Sequence, residues 1–196
     1  MPPRREPYGR CTPVTGVRPL DVRRAATEMA MPEMTDPTPA MVSFEEALTN
    51  GQVGVRRCEL DRDLYADADA VNGVQRFAYV RLDGATVTTF VNAALAPPVE
   101  GLPCFQFGCA VPVSFRRRGL ATSTLKAAIA EMRNGFGRAG IEAFYVEGIV
   151  HVDNVPSRRV SERAISTVPV TDAPTGLPAL QYLRKIEAER LGRGST

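Results

Sequence analysis

The sequence is poor in several residue types that mark particular classes of protein. It has no tryptophan, a single histidine (His151) and four cysteines, none of which form a CxxC pair. A zinc site needs several cysteine or histidine ligands, and these residues leave little from which to build one. With thiols scattered in this way, we expect free cysteines in a reducing, cytoplasmic setting.

Long hydrophobic runs and strong charge are also lacking. No stretch approaches the length of a membrane span, and the Arg- and Pro-rich start lacks the apolar run of a signal peptide. The formal net charge is +2, with 44% hydrophobic and 23% charged residues. We therefore expect a globular protein with no membrane partner and no nucleic-acid partner, although Arg-rich segments keep nucleic-acid binding as a third alternative.

The composition changes along the chain and divides it into three parts. We expect residues 1–40 to form a Pro-rich, partly ordered arm with a short helix over 20–31, and residues 191–196 to form a tail. Residues 41–190 form a single domain, whose first helix is predicted over 44–49 because Ser43 and Glu46 have capping-box spacing. An exposed arm and a terminal strand make a homodimer plausible as a hypothesis.

The first half of the domain is predicted to be a β-meander. Predicted strands cover residues 53–60, 76–81, 86–91 and 105–113. The acidic stretch 61–69 is predicted to be a loop or one helical turn, and 95–103 a Pro/Gly loop. Asp83-Gly84 between two β-prone runs is a strong hairpin signal.

The second half alternates helix and strand. Helices are predicted over 119–133 and 155–164, with a strand over 141–152 between them. A closing hairpin is predicted from 166–170 and 179–186, with a helix over 177–191 as the alternative. The element order predicts a mixed sheet, α/β or α+β in class.

One turn carries the clearest chemistry. A buried-type strand runs into Arg116, Arg117 and Arg118, then Gly119, and a helix begins at once. Such a turn points several main-chain N–H groups at one spot, at the positive end of a helix dipole, where a pyrophosphate fits. Glycine permits close approach of the phosphate to the backbone.

This turn resembles motif A of the GNAT family of N-acetyltransferases, Gln/Arg-x-x-Gly-x-Gly/Ala, with Arg116, Gly119 and Ala121 in the three places. A second stretch, residues 150–157, resembles the family's next strand and its Asn-x-x-Ala/Ser turn, with Asn154 and Ser157. The resemblance covers residues 75–186. It implies a GNAT-like mixed, mostly antiparallel sheet flanked by helices, with a splayed strand pair that holds acetyl-coenzyme A.

The resemblance also implies which residues bind that cofactor. Val111 and Val113 would pair with pantetheine, while Asn154 and Ser157 would approach the pantetheine or the end of the cofactor. The pyrophosphate would be bound by the turn and the first residues of the helix, namely Arg116, Arg117, Arg118, Gly119, Leu120, Ala121 and Thr122.

The catalytic groups are less well defined. Many members of the family have a carboxylate on the strand before motif A, but residues 105–109 contain no acid, and the place of the family's tyrosine is taken by Ser161. The remaining candidates are Glu147 in an apolar strand, His151 and Ser161. Glu147 has an alternative reading as an outward-facing residue near a β-bulge at Gly148.

We therefore expect an enzyme that transfers an acetyl or short acyl group from acyl-coenzyme A to a primary amine of a small molecule or protein. A catalytically degenerate acyl-coenzyme A sensor or scaffold remains the alternative, because the strand carboxylate and the tyrosine are missing.

Overall fold

The computed structural model describes residues 36–71, 74–172 and 178–188. Within these residues the chain forms three α-helices, α1 (Thr38–Thr49), α2 (Leu120–Arg138) and α3 (Val155–Ala164). The eight strands in the same residues are β1 (Arg56–Arg57), β2 (Tyr65–Val71), β3 (Val74–Asp83), β4 (Thr86–Val99), β5 (Leu102–Ala110), β6 (Ala143–His151), β7 (Val170–Asp172) and β8 (Ala179–Glu187). The helix predicted over 20–31 and the tail 191–196 lie outside the described residues.

All eight strands belong to one sheet in the order β1-β2-β3-β4-β5-β6-β8-β7. Every neighbouring pair is antiparallel except β5 and β6, which run parallel. Helices α2 and α3 pack on one face of the sheet, and α1 packs on the other. The predicted GNAT-like fold class, a mixed and mostly antiparallel sheet flanked by helices, is confirmed.

The parallel pair is joined over only a short length. β5 and β6 are in register at Cys104–Tyr145, Phe105–Val146 and Gln106–Glu147, and within the described residues no pairing between them follows. β6 stays paired with β8 along its whole length. The two parallel strands therefore diverge toward their carboxyl ends, which leaves residues 107–110 of β5 with an open edge and confirms the predicted splayed pair.

The core between the sheet and helices α2 and α3 is built on four phenylalanines. Phe105 and Phe144 are fully buried, and their rings meet those of Phe77 and Phe136 at centroid distances of 5.0 to 6.2 Å. Each such side chain contributes roughly 1.5–3 kcal/mol through burial. Because Phe136 belongs to this cluster, α2 continues to Arg138 and does not end at residue 133 as predicted.

Helix α1 covers the opposite face at the β3–β4 end, where Phe44 packs on Phe90 at 5.5 Å. The predicted capping box was wrong, since the helix begins at Thr38 and Ser43 lies inside it. The Thr38 N–H donates to the Asp36 carboxylate at 2.9 Å. Prolines in this first turn remove only N–H groups that a helix start leaves without intrahelical acceptors.

Two predictions in the meander were wrong. Only Arg56–Arg57 of the predicted strand 53–60 is a strand, and most of the predicted loop 61–69 belongs to β2. The alternation of alanine with aspartate suits an edge-side strand, where the carboxylates can find cationic partners on the next strand. Asp69 does so with Arg76 of β3, at 2.5 Å.

The loop predicted over 95–103 is also mostly strand. β4 continues through Pro97 and Pro98 to Val99, and the register with β5 shifts between Ala96 and Val99, which accommodates the prolines. Glu100 and Gly101, both with positive φ, then form the turn into β5.

The remaining elements lie near the predicted positions. The closing hairpin is confirmed as β7 and β8, so the alternative helix over 177–191 was wrong. Its first strand was misplaced, since β7 is Val170–Asp172 and not 166–170 as predicted. No helix in the described part of the chain is both long and apolar enough to cross a membrane.

Candidate functional site

The turn after β5 has an unusual backbone. A short 3-10 turn, Val113–Phe115, follows the strand, and Arg117 and Gly119 then take left-handed φ values of 62° and 76°. For a non-glycine residue such as Arg117 this conformation costs roughly 1–2 kcal/mol. The strain is retained at a point where the chain must reverse and start α2 at Leu120, and such strain is typical of functional sites.

The same turn exposes a row of main-chain donors. Among the described residues, no acceptor is found for the N–H groups of residues 117–122, and the first bonded amide is that of Ser123, which donates to the Gly119 carbonyl at 3.1 Å. No side chain of the described residues caps the helix. Unpaired amides at the positive end of a 19-residue helix form a site suited to a phosphate or pyrophosphate.

The arginines of the turn are exposed, and two of them brace it. Arg116 Nε donates to the Val111 carbonyl at 3.0 Å. Arg118 donates to the Ser114 carbonyl at 3.0 Å, and its guanidinium lies over the Phe115 ring at 5.4 Å. The Arg117 side chain has no hydrogen bond or ion pair within the described part of the chain, which leaves its guanidinium available to an anion.

The first turn of α2 is held against the sheet by buried residues and by a hydrogen bond to β3. Leu120, Ala121 and Thr122 are half-buried there, and Thr124 is fully buried. The Thr124 hydroxyl accepts a hydrogen bond from Arg81 of β3 at 3.0 Å. This anchor fixes the direction in which the unpaired amides point.

A second helix starts at the same edge of the sheet. Asn154 caps α3, with its side-chain oxygen accepting from the Ser157 N–H at 3.2 Å. Because β5 and β6 are parallel, their carboxyl ends lie at one edge, so the turns that follow them are neighbours. The structure thus brings the predicted residues of both motifs to the side where the two strands diverge.

The two valines predicted to contact pantetheine are placed differently. Val111 directly follows β5 and is half-buried beside the open edge. The predicted strand 105–113 was wrong at both ends, since β5 is Leu102–Ala110, and Val113 lies in the 3-10 turn with 77% of its surface exposed.

Glu147 is a buried carboxylate in the middle of the sheet. Only 3% of its surface is exposed, and Gln181 of β8 donates to Oε2 at 2.7 Å. Oε1 has no donor within the described residues. Burial raises the pKa of this carboxyl group. The β6–β8 register is continuous through Gly148, so the reading of Glu147 as outward-facing beside a β-bulge was wrong.

Ser161 lies on the opposite face of the sheet from Glu147, beside the gap between the diverging ends of β5 and β6, which we call the split. It is buried on α3, beneath Gly148, the first residue of β6 beyond the last β5–β6 pair. A Cβ atom at position 148 would stand 3.2 Å from Ser161 Oγ and 3.0 Å from Ile165 Cδ1. The glycine therefore lets the serine hydroxyl come close to the strand. Glu147 and Ser161 lie on opposite faces, on either side of the point where the strands part.

His151 is separated from these two residues. It ends β6, four residues beyond Glu147, which corresponds to about 13 Å along a strand. Its Nδ1 accepts a hydrogen bond from the Asp153 N–H at 3.2 Å, a local contact of the turn before α3.

One polar residue near the split was not predicted from the sequence. Asn92 of β4 faces the same side of the sheet as Glu147, and its buried Oδ1 has no donor within the described residues. It lies over Gly108, where a Cβ atom would be 2.4 Å from Oδ1. The available signal was an asparagine inside a long β-prone run, which favours a functional reading. Cys109 is half-buried against the main core, and burial raises the pKa of its thiol to about 12, so the thiol is a poor nucleophile.

Comparisons with known proteins give only distant matches. No protein-family model and no curated protein sequence matches the chain. Solved structures similar to it include RimL, a ribosomal alpha-N-protein acetyltransferase (16% identity, 58% of this chain and 72% of the other, TM-score 0.40). The spermidine N-acetyltransferase of Vibrio cholerae, solved with coenzyme A and spermine, is 14% identical over 60% of this chain and 67% of the other, with a TM-score of 0.39.

A third similar structure, from Desulfovibrio desulfuricans, is described as an acetyltransferase of the GNAT family. It is 18% identical, with 87% of this chain and 92% of the other covered and a TM-score of 0.42. In several other matches the chain spans 61% to 64% of the length of the matched acetyltransferase, which is less than two thirds.

Similarity at this level says nothing about activity, so the classification rests on the topology described above. The strand order, the splayed parallel pair and the helix that starts directly after the Arg-Gly turn define a GNAT-type fold. The resemblance to the GNAT family found in the sequence is confirmed at the level of the fold.

Proposed function

We propose that this protein is an N-acyltransferase that moves an acetyl or short acyl group from acyl-coenzyme A to a primary amine. The observation that carries the proposal is the row of unpaired N–H groups at residues 117–122, next to the open edge of β5. A diphosphate at the helix start would accept from these amides, and the free guanidinium of Arg117 would add charge-assisted contacts.

The open edge of β5 suits the rest of the cofactor. Main-chain groups of residues 107–110 that face the split have no strand partner among the described residues, and buried main-chain groups need hydrogen bonds. The amides of pantetheine can supply them in the manner of an added strand. Val111 would continue this hydrogen-bonding edge beyond β5. Asn154 and Ser157 would contact the cofactor from the α3 side.

Bound acyl-coenzyme A supplies a thioester, and the protein must supply two proton transfers. Attack by the amine nitrogen on the acyl carbon forms a C–N bond and breaks the C–S bond, so the amine loses one proton and the thiolate gains one. In the proposal, Glu147 accepts the proton of the amine. A carboxyl group whose pKa is raised by burial is a better base than an exposed one.

In the proposal, the proton for the departing sulfur comes from the face of the sheet that α3 covers. Ser161 lies beneath Gly148 at the split, and its hydroxyl is the donor that the proposal assigns. Base and acid would then approach the reacting carbon from opposite sides of the sheet. The catalytic role predicted for His151 stays a prediction; its Cα lies about 13 Å from that of Glu147 along the strand.

Two measurements on the same protein test the proposal. Calorimetry measures coenzyme A binding, and a thiol-release assay with acetyl-coenzyme A and a panel of primary amines and peptides measures turnover. We expect binding, turnover with at least one amine, and a loss of kcat of about 100-fold or more in Glu147→Gln with unchanged binding. Glu46→Gln, the same change at an exposed carboxylate on α1, should leave kcat unchanged.

The outcomes separate the alternatives. Binding without turnover across the whole panel would favour an acyl-coenzyme A sensor, the alternative suggested by a serine in place of a tyrosine. Failure to bind coenzyme A would overturn the proposal as a whole.

A further inference from the structure

The buried carboxylate of Glu147 is held by one side chain of β8. Gln181 Nε2 donates to Glu147 Oε2 at 2.7 Å, while Glu147 Oε1 has no donor within the described residues. Gln181 is half-buried and Glu147 is buried. Buried polar groups are normally fully hydrogen-bonded, so a buried carboxylate with a single neutral donor calls for an explanation, and a catalytic role is one of those that apply.

The strand register places this hydrogen bond at the point where the parallel strands part. Gln181 lies opposite Ile149 on β6, two residues beyond Glu147 toward the carboxyl end of that strand. Glu147 belongs to the last pair between β5 and β6 in the described residues. Diagonal neighbours in a sheet lie about 7–8 Å apart, a distance that two long side chains can span. The Gln181 amide therefore draws the carboxylate toward the split.

The titratable groups that share this face of the sheet do not take over that role. The Cys104 thiol is fully buried, and burial raises its pKa, so it stays neutral. The Tyr145 hydroxyl donates to the Glu100 carboxylate at 2.5 Å. Two cations on the same face are each bound to a carboxylate of their own, Lys185 to Glu187 at 3.1 Å and Arg76 to Asp69 at 2.5 Å.

The charge of Glu147 therefore depends on Gln181. Burial raises the pKa of Glu147, and the hydrogen bond from Gln181 acts against that rise, because a donor to the carboxylate favours its ionised form. A general base must be ionised before it can accept the proton of an amine. The same hydrogen bond thus sets both the direction and the charge of the carboxylate.

We propose that Gln181 is a positioning residue, whose side-chain amide keeps Glu147 ionised and turned toward the split. The inference rests on the proposed function, because it concerns the base of the same reaction. Gln181 acts through Glu147 and has no contact with the reacting atoms assigned to it.

The direct test follows the charge of Glu147 in the protein without ligands. Carbon-13 NMR of the glutamate carboxyl groups gives the pH midpoint of each, and the Glu147 signal is the one that Glu147→Gln lacks. In Gln181→Met, which keeps the size of the side chain but removes the donor, we expect this midpoint to move to higher pH. Gln181→Lys keeps a donor and adds a positive charge, so its midpoint should lie below that of the wild-type protein. Gln52→Met, the same change at an exposed glutamine, should leave the midpoint unchanged.

The pH profile of turnover then connects this midpoint to the reaction. The acid limb of kcat/KM should move to higher pH in Gln181→Met, in step with the NMR midpoint. On that limb kcat/KM should be about tenfold or more below the wild-type value, the loss expected for a hydrogen bond to a charged group, and the loss should shrink at high pH. The same amine is used throughout, so its own titration is common to all variants. Coenzyme A binding should be equal in all of them, and urea unfolding checks that each one folds.

The outcomes separate this inference from the proposed function. An NMR midpoint that is equal in Gln181→Met and the wild-type protein, or one that rises in Gln181→Lys, would overturn the inference. A midpoint that moves as expected while the acid limb of turnover stays fixed would refute Glu147 as the base, and the positioning role with it. Absence of turnover with every amine would count against the proposed function, and the NMR result would still decide whether Gln181 sets the charge of Glu147.

Discussion

The most informative perturbation is a charge placed at the start of α2. Gly119 has a φ of 76°, and no atom lies within 4 Å of the position of an added Cβ. Gly119→Glu therefore fits without a clash, but it sets a carboxylate among the unpaired amides. Gly119→Asn is the matched control, since asparagine tolerates the left-handed conformation and carries no charge.

The magnitude follows from Coulomb's law. A carboxylate about 4 Å from one phosphate charge costs about 1 kcal/mol at the dielectric constant of water and about 4 kcal/mol at an effective value of 20. Coenzyme A should therefore bind more weakly to Gly119→Glu than to Gly119→Asn by a factor of about five to about a thousand. Asparagine tolerates this φ better than glutamate, so part of the difference in affinity can come from backbone strain. Strain does not depend on salt, so the salt-dependent part of the difference reports the charge.

Calorimetric titration with coenzyme A at low and high salt is the assay. Because the turn is exposed, the difference between the two variants should shrink as salt rises and the Debye length falls from about 10 Å at 0.1 M to about 3 Å at 1 M. Equal affinity of the two variants at low salt would refute the placement of the diphosphate at this turn.

The remaining predictions concern stability and need no ligand. Burial raises the pKa of Glu147 above its unfolded value, so its contribution to stability is fully present below the unfolded pKa and is lost as pH rises through the folded pKa. Glu147→Gln should therefore gain in Tm relative to wild type between pH 4 and pH 8, and a constant difference would contradict the burial argument. Gly148→Ala should cost about 1–3 kcal/mol in urea unfolding. Ser161→Ala should recover part of that cost, because the Ser161 hydroxyl is one of the two groups that a Cβ at position 148 would meet, the other being Ile165 Cδ1. Strict additivity would show that positions 148 and 161 do not touch. Asn154→Ala should cost about 0.5–2 kcal/mol through loss of the cap on the Ser157 N–H, whereas Asn154→Asp should cost less, and equal losses would argue against a capping role.

Short sequence patterns predicted the elements whose positions are set by a few neighbouring residues. The Asp83-Gly84 hairpin, helix α3 with its proline in the first turn, and the helix after Gly119 all follow from turn chemistry and helix caps. The same reasoning failed for β2 and for the end of β4. Alternating aspartates and paired prolines indicate loops, and these segments are strands because neighbouring strands pair with them.

The candidate site was likewise only partly predictable from the sequence. The Arg-Gly turn was predictable because a few consecutive residues set its backbone. The relation of Glu147 to Ser161 was not, because it depends on the register of β6 against β5 and on α3 crossing beneath Gly148. Asn92 was missed for a similar reason: only the pairing of β4 with β5 places it on the face that carries Glu147.

A crystal structure with coenzyme A tests the central claim most directly. We expect diphosphate density within hydrogen-bond distance of the amides of residues 117–122, with the pantetheine chain running along residues 107–110 between β5 and β6. Diphosphate bound elsewhere, with those amides facing only solvent and the split between the strands closed, would contradict it.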